Sequence, residues 1–278
     1  MRMSIDRVPA ETAPPPPISE SWMACYRDLA ADIRHRAAGR SVLLIVHPGN
    51  WGDSLIAHGT RNFLRYYGIA YTEVSARPTI KSDERLSRTL LDFPPERFMP
   101  LFTVGGSITP HYRYVEKLRA AARAYGGGVV LPGNCGFSAS ELGLPDGCSF
   151  WVRDRGESAR NLPAAPFCHD MAFFERAHRP LRLRPHGLFL RRDVERAAYR
   201  KGGIDPSGWG KEYSPAGLFI RLVGSHRAVT TNRLHIAIAA VLCGSSVELL
   251  PSSTAKIADV YHASLAEYSN DVRYDRQG

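Results

Sequence analysis

The apolar residues of the chain fall into two patterns, short continuous runs and longer stretches with helical spacing. From Ser41 to Glu175 the two patterns alternate, and glycine-containing turns follow the first runs. Such alternation is typical of a parallel sheet covered on both faces, which binds ligands beyond the carboxyl ends of its strands. The predicted strands are 41–47 (SVLLIVH), 97–104 (RFMPLFTV), 127–134 (GGVVLPGN), 149–154 (SFWVRD) and 167–174 (FCHDMAFF). The predicted helices are 20–38, 54–68 and 111–127.

A charged, proline-bracketed stretch over 175–185 precedes a second set of the same elements, and we interpret it as an interdomain linker. The second set predicts strands over 187–193, 227–231 and 245–252, and helices over 214–225, from Leu234 onward, and over 254–268. The chain is therefore predicted to be α/β, with two Rossmann-like domains facing a cleft. The predicted segments are a flexible, proline-rich N-terminus over 1–19, a first domain over 20–175 and a smaller second domain over 186–278.

Composition narrows the classes of partner. The 278 residues are 44% hydrophobic and 23% charged, as in ordinary globular proteins, and carry a formal net charge of +9. A positive charge favours an anionic partner, but the basic residues are scattered and match no nucleic-acid-binding motif, so no nucleic-acid partner is expected. The five cysteines include no CxxC pair, which indicates reduced thiols in a cytoplasmic chain. No apolar run is long enough for a membrane span, so membrane contact is expected to be peripheral only.

The segment PGNWGDSL, residues 48–55, follows the first predicted strand and opens a helix. Asn50, Gly52 and Asp53 are its candidate binding or catalytic residues, because a glycine-containing helix start presents unpaired N–H groups to an anion. The segment is neither a Walker loop nor GxGxxG, so nucleotide fingerprints do not apply. A capping role alone is the alternative for Asp53.

The segment GGSITP, residues 105–110, repeats this arrangement after the second predicted strand. Gly105 and Gly106 let a ligand or the opposing domain approach the backbone closely, and Ser107 follows them. A tight turn without a ligand is the alternative.

Two cations are candidate anion ligands beyond other strand ends. Arg153 ends the strand over 149–154 beside Asp154, and its planar fork suits a carboxylate or phosphate. A surface ion-pair network is the alternative for this pair. Lys256 lies near the start of the last predicted helix, where it either completes a basic pocket or is solvated.

The stretch VTTNRLHIAIAAVLCG, residues 229–244, places Arg233 and His235 at the head of a helix that is apolar on all sides. A buried helix tolerates charge only at its end, and this end is expected at the cleft. The helix dipole there favours a bound anion, and a histidine can exchange protons near neutral pH. A histidine that only caps the helix is the alternative for His235.

Adjacent His169 and Asp170 in FCHDMAF raise the question of a metal site. A third ligand at a suitable spacing is missing from the sequence, so a structural or cleft-lining role is expected instead, and no metal is predicted.

In their order along the chain, these motifs resemble those of the polysaccharide pyruvyl transferase family. The resemblance covers roughly residues 41–260 and depends most on the pairing of NWGD with TNRLH. The matching segments are GNWGD (49–53), VGGSI (104–108), VVLPGN (129–134), VRDRGES (152–158), CHDMAF (168–173), LFLRRD (188–193) and VTTNRLHIAIAAVLCG (229–244), with the later Lys256.

The resemblance implies a GT-B-like fold and transfer of a pyruvyl group from phosphoenolpyruvate to a hexose or N-acetylhexosamine. The product is a cyclic ketal, and phosphate is released. Acceptors in the family are commonly lipid-linked precursors of exopolysaccharide or cell-wall polymer at the cytoplasmic membrane face. No cofactor is implied, because phosphoenolpyruvate is the donor substrate. His235 becomes the expected acid/base and Asp53 the group that orients or deprotonates the acceptor, while Arg153, Arg233 and Lys256 become expected donor ligands.

Two alternatives stay open on the sequence. A GT-B glycosyltransferase with a nucleotide-sugar donor would have the same fold and acceptor, although no carboxylate follows a strand of the second domain in position to hold a ribose. An inactive saccharide-binding relative is the other, since only one convincing helix lies between 188–193 and 229–235, fewer than the family usually has.

Overall fold

Two parallel β-sheets, one of six strands and one of four, organise the part of the chain that the structure describes. The computed structural model describes residues 19–75, 92–110, 114–175, 180–193 and 202–275. The strands are β1 Ser41–Val46, β2 Tyr71–Ser75, β3 Phe98–Phe102, β4 Ser107–Ile108, β5 Gly128–Cys135, β6 Cys148–Val152, β7 Arg184–Phe189, β8 His226–Thr231, β9 Ser246–Leu249 and β10 Val272–Tyr274.

The helices cover these sheets and join their strands. They are α1 Glu20–Ala37, α2 Trp51–Tyr66, α3 Tyr114–Ala124, α4 Ala139–Leu142, α5 Glu157–Asn161, α6 Ala216–Gly224, α7 Leu234–Leu242, α8 Lys256–Val260 and α9 Ala266–Tyr268. Two 3₁₀ turns cover Met171–Phe174 and Pro206–Trp209, and a π-helical turn over Tyr261–Leu265 joins α8 to α9. Within the described ranges no helix combines the length and apolar character needed to cross a membrane.

The first sheet has the strand order β2-β1-β3-β5-β4, with β6 also paired to β5, and all its pairings are parallel. Its central strands are buried on both faces. In β1, Leu43 and Ile45 pack on one side while Val42, Leu44 and Val46 pack on the other. The predicted parallel α/β arrangement is therefore confirmed.

The second sheet has the order β10-β9-β8-β7, is again parallel, and has only one apolar face. Val229 and Val247 belong to the buried core. On the opposite face, Nε2 of His186 lies 2.9 Å from Oγ1 of Thr230, which donates to Oε2 of Glu248 at 2.7 Å. Parallel sheets are usually covered on both faces. Here a row of polar side chains occupies the second face.

One hydrophobic core extends through both sheets. Residues of β1, α1 and α2 belong to the same buried cluster as Phe219 of α6 and the apolar positions of α7. All the hydrophobic side chains of α7 are buried, which explains why that helix is apolar on every side. The two sheets are therefore packed against a common interior.

The predicted strand FCHDMAFF is wrong. Only Phe167 makes an isolated bridge, to Val152, and the chain then forms the 3₁₀ turn. The cause is Asp170, whose side chain accepts a hydrogen bond from the N–H of Ala172 at 2.8 Å and starts a helical turn. Short polar side chains of this kind compete with strand pairing for nearby backbone groups.

Several boundaries also differ from the prediction. Helix α2 begins at Trp51 because Asn50 caps it, and the edge strands β2 and β10 were not predicted. Strand β7 begins at Arg184, inside the predicted linker, of which 176–179 lie outside the described residues. The predicted flexible N-terminus, apart from its last residue, and the start of the helix over 111–127 lie outside them too.

The pH dependence of folding tests the packing of His169. Its ring stacks on Trp22 at a centroid distance of 3.5 Å, and its Nδ1 lies 2.8 Å from Oγ of Ser264. Burial lowers the pKa of His169 from 6.5 to about 3. Between these values the unfolded chain binds a proton that the folded chain does not, so stability falls as the pH falls.

We expect His169→Gln to be less stable than wild type at pH 7 but to lose less stability on acidification. The difference in slope should reach about 1.4 kcal/mol per pH unit below pH 6. Urea unfolding at pH 7 and pH 4.5 measures it. Equal slopes for the two proteins would contradict the assignment.

Candidate functional site

A cavity of about 220 Å³ lies where the carboxyl ends of the two sheets meet. Most of its walls come from the segments after β1 and β3 of the first sheet and after β7, β8 and β9 of the second. This is the edge at which parallel α/β sheets bind ligands. The lining residues are His47, Pro48, Gly49, Asn50, Asp53, Gly105, Ser107, Arg191, Asp193, Ser207, Arg233, Leu234, His235, Lys256 and Ile257.

The first turn of α2 forms one wall. Oδ1 of Asn50 accepts a hydrogen bond from the N–H of Gly52 at 2.7 Å, and Oδ2 of Asp53 accepts one from the N–H of Asn50 at 2.7 Å. This capping box fixes the side chain of Asp53. The alternative of a capping role is therefore present, but it occupies one of the two carboxylate oxygens.

The same turn is bonded to the second half of the chain. The N–H of Gly49 donates to Oε2 of the buried Glu212 at 3.1 Å, and Nε1 of Trp51 donates to the carbonyl of Pro215 at 3.2 Å. These bonds hold the start of α2 against the loop that precedes α6. The wall is therefore fixed from both sheets.

The second oxygen of Asp53 lies near Gly105. A Cβ built on that glycine would lie 3.2 Å from Oδ1 of Asp53. Burial raises the pKa of Asp53, and the nearby charges of His235, Lys256 and Arg153 oppose that rise. A buried carboxylate with a raised pKa is suited to taking up a proton.

His235 lies in the first turn of α7, after the cap residue Arg233, as the sequence predicts. Its side chain is 15% exposed, and its Nε2 is 3.4 Å from Oδ2 of Asp170. Its other face lies against Gly52, where an added Cβ would be 2.6 Å from Nδ1. The ring is thus held between a carboxylate and a residue without a side chain.

Behind His235 lies a fully buried ion pair, in which Arg153 donates from Nη1 to Oδ2 of Asp170. Nε of Arg153 donates to Oδ1 of Asn134 at 2.8 Å. Burial acts to raise the pKa of Asp170, but Arg153 and His235 outweigh it and hold that pKa well below its usual value. Asp170 therefore stays ionised beside His235.

Three cations line the cavity on the side of the second sheet. Nε of Arg233 donates to Oδ1 of Asp205 at 3.0 Å, and its Nη2 lies 2.9 Å from Oδ2 of Asp193. Arg191 pairs with the other oxygen of Asp193 at 3.2 Å. Burial and the neighbouring arginines lower the pKa of Lys256 well below its usual value. An anion in the cavity would favour the charged form of Lys256.

Several buried polar atoms at this site have no hydrogen-bond partner among the described residues. They are Nδ1 of His47, Nη2 of Arg153 and Nε2 of His235. A buried polar atom without a partner costs about 1–3 kcal/mol, and such atoms are rare in folded proteins. His47 and His235 line the cavity, and Arg153 lies behind its wall.

The cavity brings together seven of the predicted site residues, namely Asn50, Asp53, Gly105, Ser107, Arg233, His235 and Lys256. The other three lie behind its wall. Gly52 backs His235, and a Cβ on Gly106 would lie 2.7 Å from Nη1 of Arg153. Arg153 is therefore a buried support and not a surface residue. Lys256 is the first residue of α8, which begins two residues later than the helix predicted over 254–268.

His47, Arg191 and Asp193 line the cavity with ionisable side chains and were not among the predicted site residues. His47 is the last residue of the first predicted strand, so the sequence gives it no separate signal. Arg191 and Asp193 follow the apolar run of β7, and charged residues directly after such a run were a usable signal. No group of three or more potential metal-binding side chains is found within the described ranges.

Comparison with known proteins adds evidence on the fold alone. No family model matches the chain, and neither does any curated protein. A crystal structure of a functionally uncharacterized protein from Klebsiella pneumoniae is similar, with a TM-score of 0.70 and 18% identity, over 93% of this chain and 100% of that one. The mixed α/β fold is therefore shared with a solved structure at low sequence identity.

Two glycines of α2 give a matched test of the site. Gly59→Ala should lower stability by about 1–3 kcal/mol, because its Cβ would lie 1.9 Å from the carbonyl oxygen of Met171. Gly52→Ala should lower stability less than Gly59→Ala, because its Cβ meets a side chain rather than backbone, and it should displace the His235 ring, which the imidazole resonances of ¹⁵N-histidine-labelled protein report. Unchanged His235 resonances in folded Gly52→Ala would contradict this geometry.

Asp170 gives a second test. Asp170→Asn leaves the buried charge of Arg153 without its counterion, so we expect a loss of about 3–5 kcal/mol in unfolding free energy. Asp193→Asn is the control, since that side chain is 38% exposed and exposed pairs contribute about 0–1 kcal/mol. Denaturant unfolding measures both, and equal losses would show that burial of the Arg153 pair is not decisive.

Proposed function

We propose that this chain is a GT-B-like pyruvyl transferase. Its donor is phosphoenolpyruvate, and its acceptor is a hexose or N-acetylhexosamine of a saccharide, lipid-linked and reached at the cytoplasmic membrane face. The products are a cyclic pyruvate ketal and phosphate. The resemblance of the ordered motifs to the pyruvyl transferase family supports this class of reaction.

One observation carries the proposal. Asp53, from the first sheet, and His235, from the second, line the same cavity as Lys256 and the two arginines 191 and 233. Phosphoenolpyruvate carries a carboxylate and a phosphate, so its site needs several cations. Its reaction also needs a proton donor and a proton acceptor. The cavity combines both requirements.

In the proposed reaction, His235 is the proton donor and Asp53 is the proton acceptor. His235 gives a proton to the methylene carbon of the donor, which leaves positive charge on the carbon that bears phosphate. An acceptor hydroxyl bonds to that carbon while Asp53 takes its proton, and phosphate leaves. A second hydroxyl of the same sugar then closes the ketal. Of the two hydroxyl protons released, one replaces the proton delivered to carbon and the other leaves with phosphate.

Arg153, expected from the resemblance to bind the donor, has a different part in this proposal. It pairs with Asp170, and the Asp170 carboxylate, 3.4 Å from Nε2 of His235, stabilises the protonated ring by its charge. Arg191, Arg233 and Lys256 together bind the phosphate and the carboxylate of the donor. The charge of Arg233 is shared with Asp193 and Asp205, which hold its planar head in place.

The size of the cavity favours this donor over a nucleotide sugar. Sites for drug-sized ligands enclose roughly 300–1,000 Å³. A cavity of about 220 Å³ suits a smaller anion. A glycosyltransferase would release a nucleoside diphosphate and would not consume phosphoenolpyruvate, and an inactive relative would bind saccharide without releasing phosphate.

The decisive assay incubates the protein with phosphoenolpyruvate and a panel of lipid-linked or aryl hexosides. We expect phosphate release together with a mass gain on one acceptor. His235→Ala and Asp53→Asn should each lower turnover by about 10² to 10⁴, the usual contribution of a general acid or base. The control His35→Ala, at an exposed position of α1, should behave as wild type.

Two outcomes would overturn the assignment. Near wild-type turnover by folded His235→Ala would remove it as the proton donor. Neither binding nor turnover of phosphoenolpyruvate by the wild-type protein with the whole panel would reject the pyruvyl transferase function itself.

A further inference from the structure

A segment beside the cavity exposes large apolar side chains. Among the described residues, Trp209 is 63% exposed and Leu218 is 47% exposed. Trp209 lies two residues after Ser207, which lines the cavity. Exposed apolar side chains that lie together mark interaction surfaces, whereas single ones need no explanation. The first question is therefore whether these two side chains belong to one surface.

The ring of Trp51 connects them. A Cβ built on Gly210, the neighbour of Trp209, would lie 2.5 Å from Cγ of Trp51. The same ring packs on Phe219, the neighbour of Leu218, at a centroid distance of 5.5 Å. Trp51 is itself only half-buried. We call the surface formed by Trp51, Trp209 and Leu218 the tryptophan surface.

Exposed cations border the tryptophan surface, and the segment 206–225 has no exposed carboxylate. Lys211 and Arg221 are both exposed. Nε of Arg221 donates to the carbonyl of Gly217 at 3.2 Å, so its side chain folds back along α6 toward Leu218. The segment contains one acidic residue, Glu212, which is 2% exposed. Its surface charge is therefore entirely positive.

We propose that the tryptophan surface, with Lys211 and Arg221, docks on an anionic lipid bilayer. Tryptophan is enriched at the boundary between water and lipid, and exposed lysine and arginine are attracted to anionic headgroups. A saccharide would need both donors and acceptors for its hydroxyls. The segment 206–225 contains no asparagine or glutamine and exposes no carboxylate, so the observations favour lipid over sugar.

The inference rests on the proposed function for its purpose, because a lipid-linked acceptor would enter the cavity from the membrane. Asn50, directly before Trp51, and Ser207, two residues before Trp209, both line the cavity. Docking through this surface would therefore hold the cavity close to the lipid headgroups. Lipid binding itself requires neither phosphoenolpyruvate nor a saccharide, so it is measured separately from turnover.

Vesicle sedimentation tests the surface. We expect the wild-type protein to bind phosphatidylcholine vesicles that contain about one-third phosphatidylglycerol, and to bind pure phosphatidylcholine much more weakly. Trp209→Ala should weaken binding about tenfold, because it removes a large apolar side chain from the interface. Lys211→Glu should weaken it about fivefold or more, because each cation near an anionic membrane contributes about 1 kcal/mol.

Two matched controls lie away from the tryptophan surface. Leu181→Ala changes an apolar side chain that is 80% exposed just before β7, at the end of the second sheet opposite the cavity. Arg123→Glu changes an exposed cation of α3, which covers the face of the first sheet opposite α2. Both variants should bind vesicles like the wild type.

The native fluorescence of Trp209 gives a second measurement. Of the four tryptophans, Trp22 and Trp151 are 2% and 4% exposed and Trp51 is half-buried, so Trp209 is the most accessible. Anionic vesicles made with brominated lipid should quench the fluorescence of the wild-type protein. Trp209→Phe should keep most of the vesicle binding, since it keeps an aromatic ring, but should lose most of the quenching.

Failure to bind anionic vesicles, or undiminished binding by both Trp209→Ala and Lys211→Glu, would overturn the proposal. Protection of Trp209 from acrylamide by a soluble saccharide or by self-association, without vesicle binding, would also overturn it and assign the surface to a sugar or a second copy. Vesicle binding without any turnover of phosphoenolpyruvate would reject the proposed function and keep this surface. Turnover without vesicle binding would do the reverse.

Discussion

The ion pair between Arg153 and Asp170 is the interaction on which the candidate site depends. Both side chains are fully buried, so the cost of removing two charges from water must be offset locally. Asn134 accepts from Arg153, the N–H of Ala172 donates to Asp170, and His235 lies against the same carboxylate. The pair therefore links the end of β6, the 3₁₀ turn and the first turn of α7. The geometry of this ion pair therefore sets where His235, which follows a strand of the second sheet, contacts the residues of the first sheet.

The charges of the site are arranged in pairs. Asp193 contacts both arginines of the cavity, Asp205 holds Arg233, and Asp53 lies near Lys256. Burial alone would raise the pKa of Asp205, but its bonds from Arg233 outweigh this and lower it. In the proposed function, a small anion would therefore meet donors whose direction is already fixed by these pairs.

Much of the fold could be predicted from the sequence, because the hydrophobic pattern along the chain indicates most strands and helices of both sheets. The apolar run of β1, the β-branched residues of β8 and the uniformly apolar α7 are predicted correctly as a strand, a strand and a helix. FCHDMAFF failed because a side-chain cap at Asp170 overrides an apolar run. For the site, charged residues after strand ends identify Arg233 and His235. The side chain of Arg153 points inward because it bonds to Asn134 and Asp170, and no local sequence pattern shows that these residues lie beside it. In the sequence, His47 only ends an apolar run, so nothing marks it as a site residue.

The hydrophobic core shared by the two sheets determines whether either half of the chain could fold alone. Phe219 and the buried faces of α2 and α7 belong to one apolar cluster, and Trp51 of α2 packs on Phe219 at a centroid distance of 5.5 Å. Cutting the chain between β6 and β7 would expose that cluster on both fragments. Neither sheet with its helices is therefore an independent folding unit, although each has the strand–helix alternation of a separate Rossmann-like domain. The two halves of the chain must therefore fold together, because each covers apolar surface of the other.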